Sequence, residues 1–548
     1  MADASYDAVI VGGGNKGLVA AMYLTKYAGM SVGIFEDRYE LGGGWASEEN
    51  PAPGFVANCC SQYRCDFYDQ PVMGDDFPEW KEYGAELVLP NGLNIGAIYE
   101  EDHSYSGTYT PLADPTGERT AKIYAKHSQR DGETFLKMLK KFNEIIMPAL
   151  LEWVWNPPQL PGVPSPMDML LSNPESGIDP AWMFATPVQV YKDLYEAPEN
   201  QLSQMRIIQA YGMNSIESGM GITAFIVGFL GLATGFMKGG THNLAHASQR
   251  VVFENGGKVF VNSPVQKILI EKGKARGIRL EDGTEVEAKK LVLTSVAPHQ
   301  LIELIGKDHV SDKIRRRVEN LSRNFVTIAW TTWALHEAPR WKAIDYNPDI
   351  GPDIARSFIC CLADKNPESL ARELAERTLG RMPGKLEIYV GFPTHWDSTY
   401  APPGKHTMLE EQYVLGAGML TEEEWKRWEK LHAQQVLDRL HHFAPNMTWD
   451  NVIGYNLVTP FYTARHGKNF GPVGNWAVID NTMSQMGATR PIPELARHKV
   501  PNIESLYCTG SGWHPFGLSC SWQGYNVYKI IAGDFGLRKP WEEKGRAF

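Results

Sequence analysis

The stretch "YDAVIVGGGNKGLVAAMYLTKYAGMSVGIFEDR", residues 6–38, holds a complete strand–turn–helix–strand unit. Ala8, Val9, Ile10 and Val11 form an apolar run of strand type. Gly12, Gly14 and Gly17 follow in the spacing G-x-G-x-x-G, and "LVAAMYLTKY" then reads as a helix. A second strand, "SVGIFE", ends on an acid, Glu36, about twenty residues past the glycines. Each piece has a physical task. Gly12 makes the tight turn, Gly14 lets the backbone approach a pyrophosphate, and Gly17 lets helix pack on strand. Glu36 accepts hydrogen bonds from a ribose. The helix N-terminus supplies the positive end of its dipole. A glycine-rich turn in an unrelated α/β domain would leave Glu36 without a purpose, so the unit predicts an α/β, Rossmann-like domain that binds a dinucleotide.

The rest of the chain bounds what surrounds that unit. Its 548 residues supply material for two to four domains, and 43% hydrophobic content supports a large core. A net charge of −11 gives no basic excess to neutralise phosphates, which excludes a general nucleic-acid binder. Seven cysteines, some vicinal, read as reduced, intracellular usage. Cys59, Cys60 and Cys65 lack the Cys-x-x-Cys spacing of a metal site, and no metal is expected. No signal peptide precedes the first strand, and the chain reads as cytoplasmic. The uncharged run 218–237 carries five glycines and reads as a buried segment lining an apolar cavity, with peripheral membrane contact left open.

A second glycine cluster, Gly42, Gly43 and Gly44, followed by Trp45, stands just after Glu36 and Asp37. It resembles the cluster that flavoproteins of the glutathione-reductase and amine-oxidase type set against FAD phosphates. No second complete G-x-G-x-x-G unit follows, so the flavin would be reduced by the substrate itself. Residues 258–295 give four short strands with turns at Glu271-Lys272-Gly273 and Glu281-Asp282-Gly283, after a helix N-capped by Thr241 and stopped at Gly256. The strand ending at Ser295 returns to the nucleotide domain. Residues 1–65, 236–305 and 456–548 are therefore read as a discontinuous FAD-binding domain. Residues 66–235 and 306–455 are read as an α+β substrate-binding domain with apolar helices. Within it, Thr421 and Glu424 form a capping box, and Trp425, Trp428, Leu431 and Leu440 a core-facing stripe.

Near the C-terminus, "CTGSGWHPFGLSCSWQGYN", residues 508–526, mixes glycines, a histidine and tryptophans. With a flavin site in front, it reads as a final strand, a bend over a flat ring at Gly510, Gly512 and Gly517, and a helix aimed at the flavin. Four passages then carry a specific resemblance: "VIVGGGNKGLVAAMYL", "FMKGGTHNLAHA", "APPGKHTMLEEQYV" and "TRPIPELARHKVPNIESLYCTGSGWHPFG". The chain is similar to the phytoene desaturase/carotenoid isomerase-like FAD oxidoreductases of the flavin amine-oxidase fold group. Within these it most resembles the pyridine nucleotide-disulfide oxidoreductase domain-containing branch. The family's Gly-x-His-Pro-Gly-Gly core is here Gly512-Trp513-His514-Pro515-Phe516-Gly517. The departure at Phe516 bears on the substrate.

The resemblance implies FAD as cofactor, held by Gly12, Gly14, Asn15, Gly17, Glu36, Asp37, Gly43, Gly44, Trp45, Val265 at the adenine, Ser295, Gly510, Ser511, Phe516, Gly517, Ser519 and Cys520. It implies dehydrogenation of a hydrophobic, isoprenoid or terpenoid substrate, with hydride passing to flavin N5 and a base taking the adjacent proton. His514 is the candidate base, and Trp513 and Trp522, with Trp45 and Tyr63 behind them, the candidate walls that ease a developing cation. Arg490 is expected to order the loop near the cofactor. A flavin amine oxidase and a redox-neutral polyene isomerase are the alternatives, and a non-catalytic flavin-binding protein a third. Quinone, oxygen or a carrier protein remains open as electron acceptor, as does homo- or hetero-oligomer formation.

Overall fold

The computed structural model describes residues 2–160 and 162–548. Two seven-stranded sheets organise it. In the first, Ala4–Val11 lies between Val32–Phe35 and Glu285–Thr294 and runs parallel to both, with Ala8 opposite Val32 and Val11 opposite Thr294. Lys258–Phe260 adds a parallel edge beyond Val32–Phe35, and Leu506–Cys508 pairs in parallel with residues 292–294. Val265–Glu271 and Lys274–Leu280 complete the sheet as an antiparallel hairpin on residues 285–287. Residues 8–11 are buried on both faces, as expected of a central parallel strand covered by helices.

The helices Asn15–Lys26 and Trp522–Phe535 pack against each other at one end of that sheet. Gly524 permits the approach, since a Cβ there would stand 2.6 Å from the Lys16 carbonyl oxygen. The first helix and the long C-terminal helix thus meet beside the glycine turn.

The second sheet runs in the order Val452–Val458, Ile328–Leu335, His406–Tyr413, Ile388–Gly391, Ile359–Ala363, Leu93–Tyr99, Tyr105–Tyr109. All pairings are antiparallel except Ile359–Ala363 with Leu93–Tyr99. Its strands come from residues 93–109 and 328–458, so the last strand crosses the boundary expected at residue 455.

Three local expectations change. Residues 218–237 form the helix Gly221–Leu230, a short turn and the strand Thr234–Met237, largely buried as expected. The helix packs on Pro187–Leu194 and Pro198–Ala210, and none of these residues lines the central cavity except Ala210 at the far end of the second helix. No described helix is long and apolar enough to cross a membrane. Thr241 precedes its helix, His242–Glu254, but does not cap it. Its hydroxyl reaches the Ala46 carbonyl at 3.3 Å and Asn58 Oδ1 at 3.2 Å, tying the helix to the loop after the second glycine cluster. In Glu422–Phe443 the capping box is present, with Thr421 Oγ1 accepting from Glu424 N at 3.3 Å and Glu424 Oε2 accepting from Thr421 N at 2.8 Å. The buried stripe follows Trp425, His432, Val436 and Leu440, while Leu431 is exposed. Six residues separate Trp425 from Leu431, which turns Leu431 to the far side of a helix of 3.6 residues per turn.

Candidate active site

A cavity of about 540 Å³ lies between the two sheets, and residues from both ends of the chain line it. One end is built by the first sheet. Gly12 has φ of +88°, and a Cβ there would meet Ser295 Oγ at 2.8 Å, so this turn accepts only glycine. Ser295 Oγ donates to the Gly12 carbonyl at 2.7 Å and fixes the turn to the neighbouring strand. Gly17 serves packing, since a Cβ would fall 2.5 Å from the Gly12 carbonyl oxygen. Gly14 is different. It lines the cavity at the helix N-terminus, its φ of −64° suits any residue, and a Cβ there would touch nothing within 4 Å. No contact within the protein requires a glycine at this position, whereas an anion drawn against the helix N-terminus does.

Glu36 lines the same end. Its carboxylate accepts from Gly13 N at 2.7 Å and Arg38 N at 2.9 Å, and burial raises its pKa above the usual glutamate range. The carboxylate thus orders the turn and keeps acceptor capacity for a ribose. Asp37 pairs with Lys468 at 2.8 Å. Val265, Pro264 and Glu281 complete this end. Further along, Asn15, Gly43, Gly44, Ser295, Gly510, Ser511, Gly517 and Ser519 line the cavity. Asn15 Nδ2 reaches Ser519 Oγ and the Cys520 carbonyl, each at 3.4 Å, which joins the first helix to the C-terminal loop. These residues fit an FAD: an open glycine at a helix N-terminus, an acid at the second strand, and a second glycine pair between them. Glu36→Ala removes charge-assisted bonds worth about 1.5–3 kcal/mol. It is expected to weaken cofactor affinity by about 10- to 100-fold, measured by fluorescence titration of the apoprotein with FAD.

Three residues expected at the cofactor, Trp45, Phe516 and Cys520, do not line the cavity. Trp45 is fully buried, and its indole N–H donates to the Ser519 carbonyl at 3.3 Å. The Phe516 ring packs between Trp153 and Trp522 while its carbonyl accepts from Gln523. Burial pushes the Cys520 thiol up to about 12, so it stays protonated, and it lies behind the cavity wall. Trp45 and Cys520 support the loop 510–519 from behind, and the Phe516 ring anchors it to the core.

The same holds for the three residues expected to act in catalysis. His514 is buried, with Nε2 3.0 Å from the Trp153 carbonyl and its ring edge-on to Trp153. Burial pushes its pKa down to about 4, leaving a neutral imidazole that donates to that carbonyl. Trp513 joins the core under the first sheet. Trp522 stacks on Phe67 and donates to the Phe67 carbonyl at 3.2 Å. None of the three lines the cavity. The glycines around them do bend over it, but these side chains point into the protein. His514→Ala is therefore expected to cost stability, about 2–4 kcal/mol by urea unfolding. It should change the rate of flavin reduction by less than about tenfold, well short of the loss of a general base.

Arg490 takes the role expected of it. Its buried guanidinium donates to the carbonyls of Ala477, Ile479, Asp480, Gln485 and Ser511 at 2.7–3.2 Å. Ser511 lines the cavity, so this fan of bonds holds the cavity-lining loop directly.

The other end of the cavity is an aromatic chamber. Tyr63, Tyr68, Tyr211, Trp330, Tyr413, Phe470 and Trp476 line it, with Val326 and Ile328. Ile328 faces Tyr413 and Trp330 faces Glu411 across the strand pair, so alternate residues of two strands present one face to the chamber. Of the walls expected from sequence only Tyr63 is there. Two ionisable residues were not foreseen. Lys16 Nζ donates to Ser511 Oγ at 2.9 Å and the Leu518 carbonyl at 2.7 Å, and burial pulls its pKa down to about 8. Glu411 is buried, lines the chamber, and burial raises its carboxyl to about 8.

Comparison with known proteins agrees with this architecture. Residues 10–80 match the NAD(P)-binding Rossmann-like domain. A limonene dehydrogenase chain of Castellaniella defragrans is 24% identical over 98% of this chain and 96% of its own length. Mouse pyridine nucleotide-disulfide oxidoreductase domain-containing protein 2 is 24% identical over 96% and 94%. A neurosporene-forming phytoene desaturase of Rhodobacter capsulatus is 24% identical over 50% and 49%. A putrescine oxidase bound to putrescine superposes with a TM-score of 0.57 at 14% identity, covering 97% of this chain and 99% of that one. The resemblance read from the sequence holds: the chain is a homologue of the limonene dehydrogenase and phytoene desaturase oxidoreductases, on the fold shared with flavin amine oxidases.

Proposed function

We propose that the protein is an FAD-dependent dehydrogenase that desaturates a hydrophobic, isoprenoid or terpenoid substrate. The observation that carries this is the single cavity that joins a dinucleotide end, at Gly14 and Glu36, to an aromatic chamber. The names of the relatives, a limonene dehydrogenase and a phytoene desaturase, support the substrate class. When bound, FAD supplies a two-electron acceptor at its ring. The protein's own residues do the rest. Gly14 and the helix start at Asn15 take the pyrophosphate, and Glu36 takes the adenosine ribose. The loop 510–519, pinned by Arg490, Asn15 and Lys16, shapes the ring site. Lys16, buried beside that loop, places a positive charge where negative charge collects on reduction. The rings of Tyr63, Tyr211, Trp330, Tyr413 and Trp476 exclude water and offer their faces to a developing allylic cation.

On this reading, residues 1–65, 236–305 and 456–548 carry the cofactor. Residues 66–235 and 306–455 supply the chamber walls at Tyr63's side of the cavity, including Tyr211, Trp330 and Tyr413. The reading is tested by releasing the cofactor and identifying it by mass, then assaying the holoenzyme against cyclic and linear terpenes and against amines. FAD release with formation of a new C=C bond is the expected result. Hydrogen peroxide produced from amines alone would assign the chain to the amine oxidases. Rearrangement of a polyene without net oxidation would assign it to the isomerases.

A further inference from the structure

Glu411 is a carboxyl group in a place that disfavours charge. It stands on the strand His406–Tyr413, between Trp330 on one neighbouring strand and Tyr389 on the other. Its side chain faces the aromatic chamber, whereas Glu410, one residue earlier, faces the opposite side of the sheet beneath His432. The other cavity-lining acids, Glu36, Asp37, Glu281 and Glu303, belong to the dinucleotide end. Among the described residues Glu411 is thus the one carboxyl in the chamber.

The groups that act on it are few. Tyr63 comes from the loop opposite, and Tyr413 shares its strand face. Cys60 and Cys361 lie within electrostatic reach. Glu410 repels it through the sheet, and no lysine or arginine offsets that repulsion among the described residues. Tyr389, on the paired strand, turns its hydroxyl away to Gln209. The Tyr63 hydroxyl stands within hydrogen-bonding reach of the Glu411 carboxyl, each acting on the other's protonation, and among the described residues the Trp330 indole N–H opposite has no partner. Buried polar atoms are normally satisfied. A buried carboxyl met only by a tyrosine hydroxyl, in a chamber otherwise lined by rings, is left to meet what enters the cavity.

Resting on the dehydrogenase reading above, we propose that Glu411 is the catalytic base, taking the substrate proton on its carboxylate with Tyr63 beside it. One substrate C–H bond breaks with its electron pair, which passes with the hydrogen to the bound flavin. The substrate is oxidised and the flavin reduced. The adjacent carbon then loses a proton to Glu411, and the electron pair of that second C–H bond becomes the π bond. Burial helps in two ways. It makes the carboxylate a stronger base than one in water, and it places a negative charge near a cationic intermediate in a medium of low dielectric. Since the carboxylate is the active form, the rate should rise as pH increases through about 8.

The test uses holoenzyme with an isoprenoid that reduces the wild-type flavin. Anaerobic single-turnover reduction is followed over a pH series from about two units below to about two units above the Glu411 value, for wild type, Glu411→Gln and Glu411→Asp. The proposal predicts that Glu411→Gln keeps its FAD spectrum, slows reduction by about 10²- to 10⁴-fold and loses the alkaline rise. Glu411→Asp should recover part of the rate and keep a rise. Reduction of Glu411→Gln at the wild-type rate, or with the wild-type pH profile, would overturn the assignment while leaving the dehydrogenase reading intact. If no isoprenoid reduces the wild-type flavin, the dehydrogenase reading fails and this assignment with it. A second measurement needs no variant. Wild type carrying ¹³C-labelled glutamate is mixed with substrate on the alkaline side of that rise, and the infrared difference spectrum is recorded. A labelled carboxylic-acid band must appear as the flavin bleaches, and its absence would overturn the proposal.

Discussion

Gly14→Val should give a protein that folds as well as the wild-type apoprotein and holds no flavin. A Cβ added at residue 14 meets nothing within 4 Å, and the backbone there, at φ −64° and ψ 166°, suits a β-branched residue. Unfolding free energy of the apoprotein should therefore stay within about 0.5 kcal/mol of wild type, with a small gain from a stiffer unfolded chain. The cofactor meets a different surface. A pyrophosphate at this helix start needs the backbone N–H groups at contact distance, and a valine fills the space it must occupy. We expect affinity for FAD to fall by at least about a thousandfold, about 4 kcal/mol. Thermal unfolding with and without added FAD measures both quantities together. Wild type should gain stability with ligand concentration, and Gly14→Val should gain none. Gly12→Ala is the control. Its φ of +88° and the 2.8 Å approach to Ser295 Oγ predict a loss of stability even without cofactor.

Arg490→Ala should be the most destabilising single change in the C-terminal loop. The guanidinium is fully buried and serves five carbonyl oxygens in the segments 477–485 and 511. Its removal leaves these buried acceptors, apart from the Asp480 carbonyl that also receives Gln485 Nε2 at 3.0 Å, without donors among the described residues. Each buried orphan costs about 1–3 kcal/mol before relaxation, and breaking such a charged network typically costs about 3–5 kcal/mol in total. Arg490→Lys should recover little of this, because three donors on one nitrogen cannot span a fan built for five. Urea unfolding of the apoprotein gives the cost. Since Ser511 lines the cavity, FAD affinity should fall in both variants as well.

These two residues mark how much of the site could be read from the sequence. Gly12, Gly14, Gly17 and Glu36 are legible because the unit that uses them is contiguous. The turn, helix and second strand all lie within residues 6–38, and local geometry gives each residue its task. The discontinuous first sheet was legible for a related reason, since the four strands between residues 258 and 294 are bounded by clear turn signals. The chamber was not. Tyr211, Trp330, Glu411, Tyr413 and Trp476 come from distant places in the chain, and only the folded second sheet and its neighbours bring them together. Alternation in "MLEEQY" places Glu411 and Tyr413 on one face and Glu410 and Gln412 on the other. Both faces of that strand are buried, so the pattern does not say which one meets the cavity. His514, Trp513 and Trp522 misled for the opposite reason. Their residue types suit the chemistry, and their glycine neighbours do approach the cavity, but the side chains themselves point to Trp153, the first-sheet core and Phe67.

The central claim is that the cavity unites a flavin with an apolar substrate that gives it electrons. The most direct measurement is the absorbance of the purified holoenzyme, mixed without oxygen with a series of cyclic monoterpenes, linear isoprenoids and aryl-alkyl amines. The account predicts bleaching of the oxidised flavin band by a member of the isoprenoid series, with stoichiometric appearance of a product two hydrogens poorer. Bleaching by amines alone, or a flavin that no hydrocarbon reduces, would contradict it.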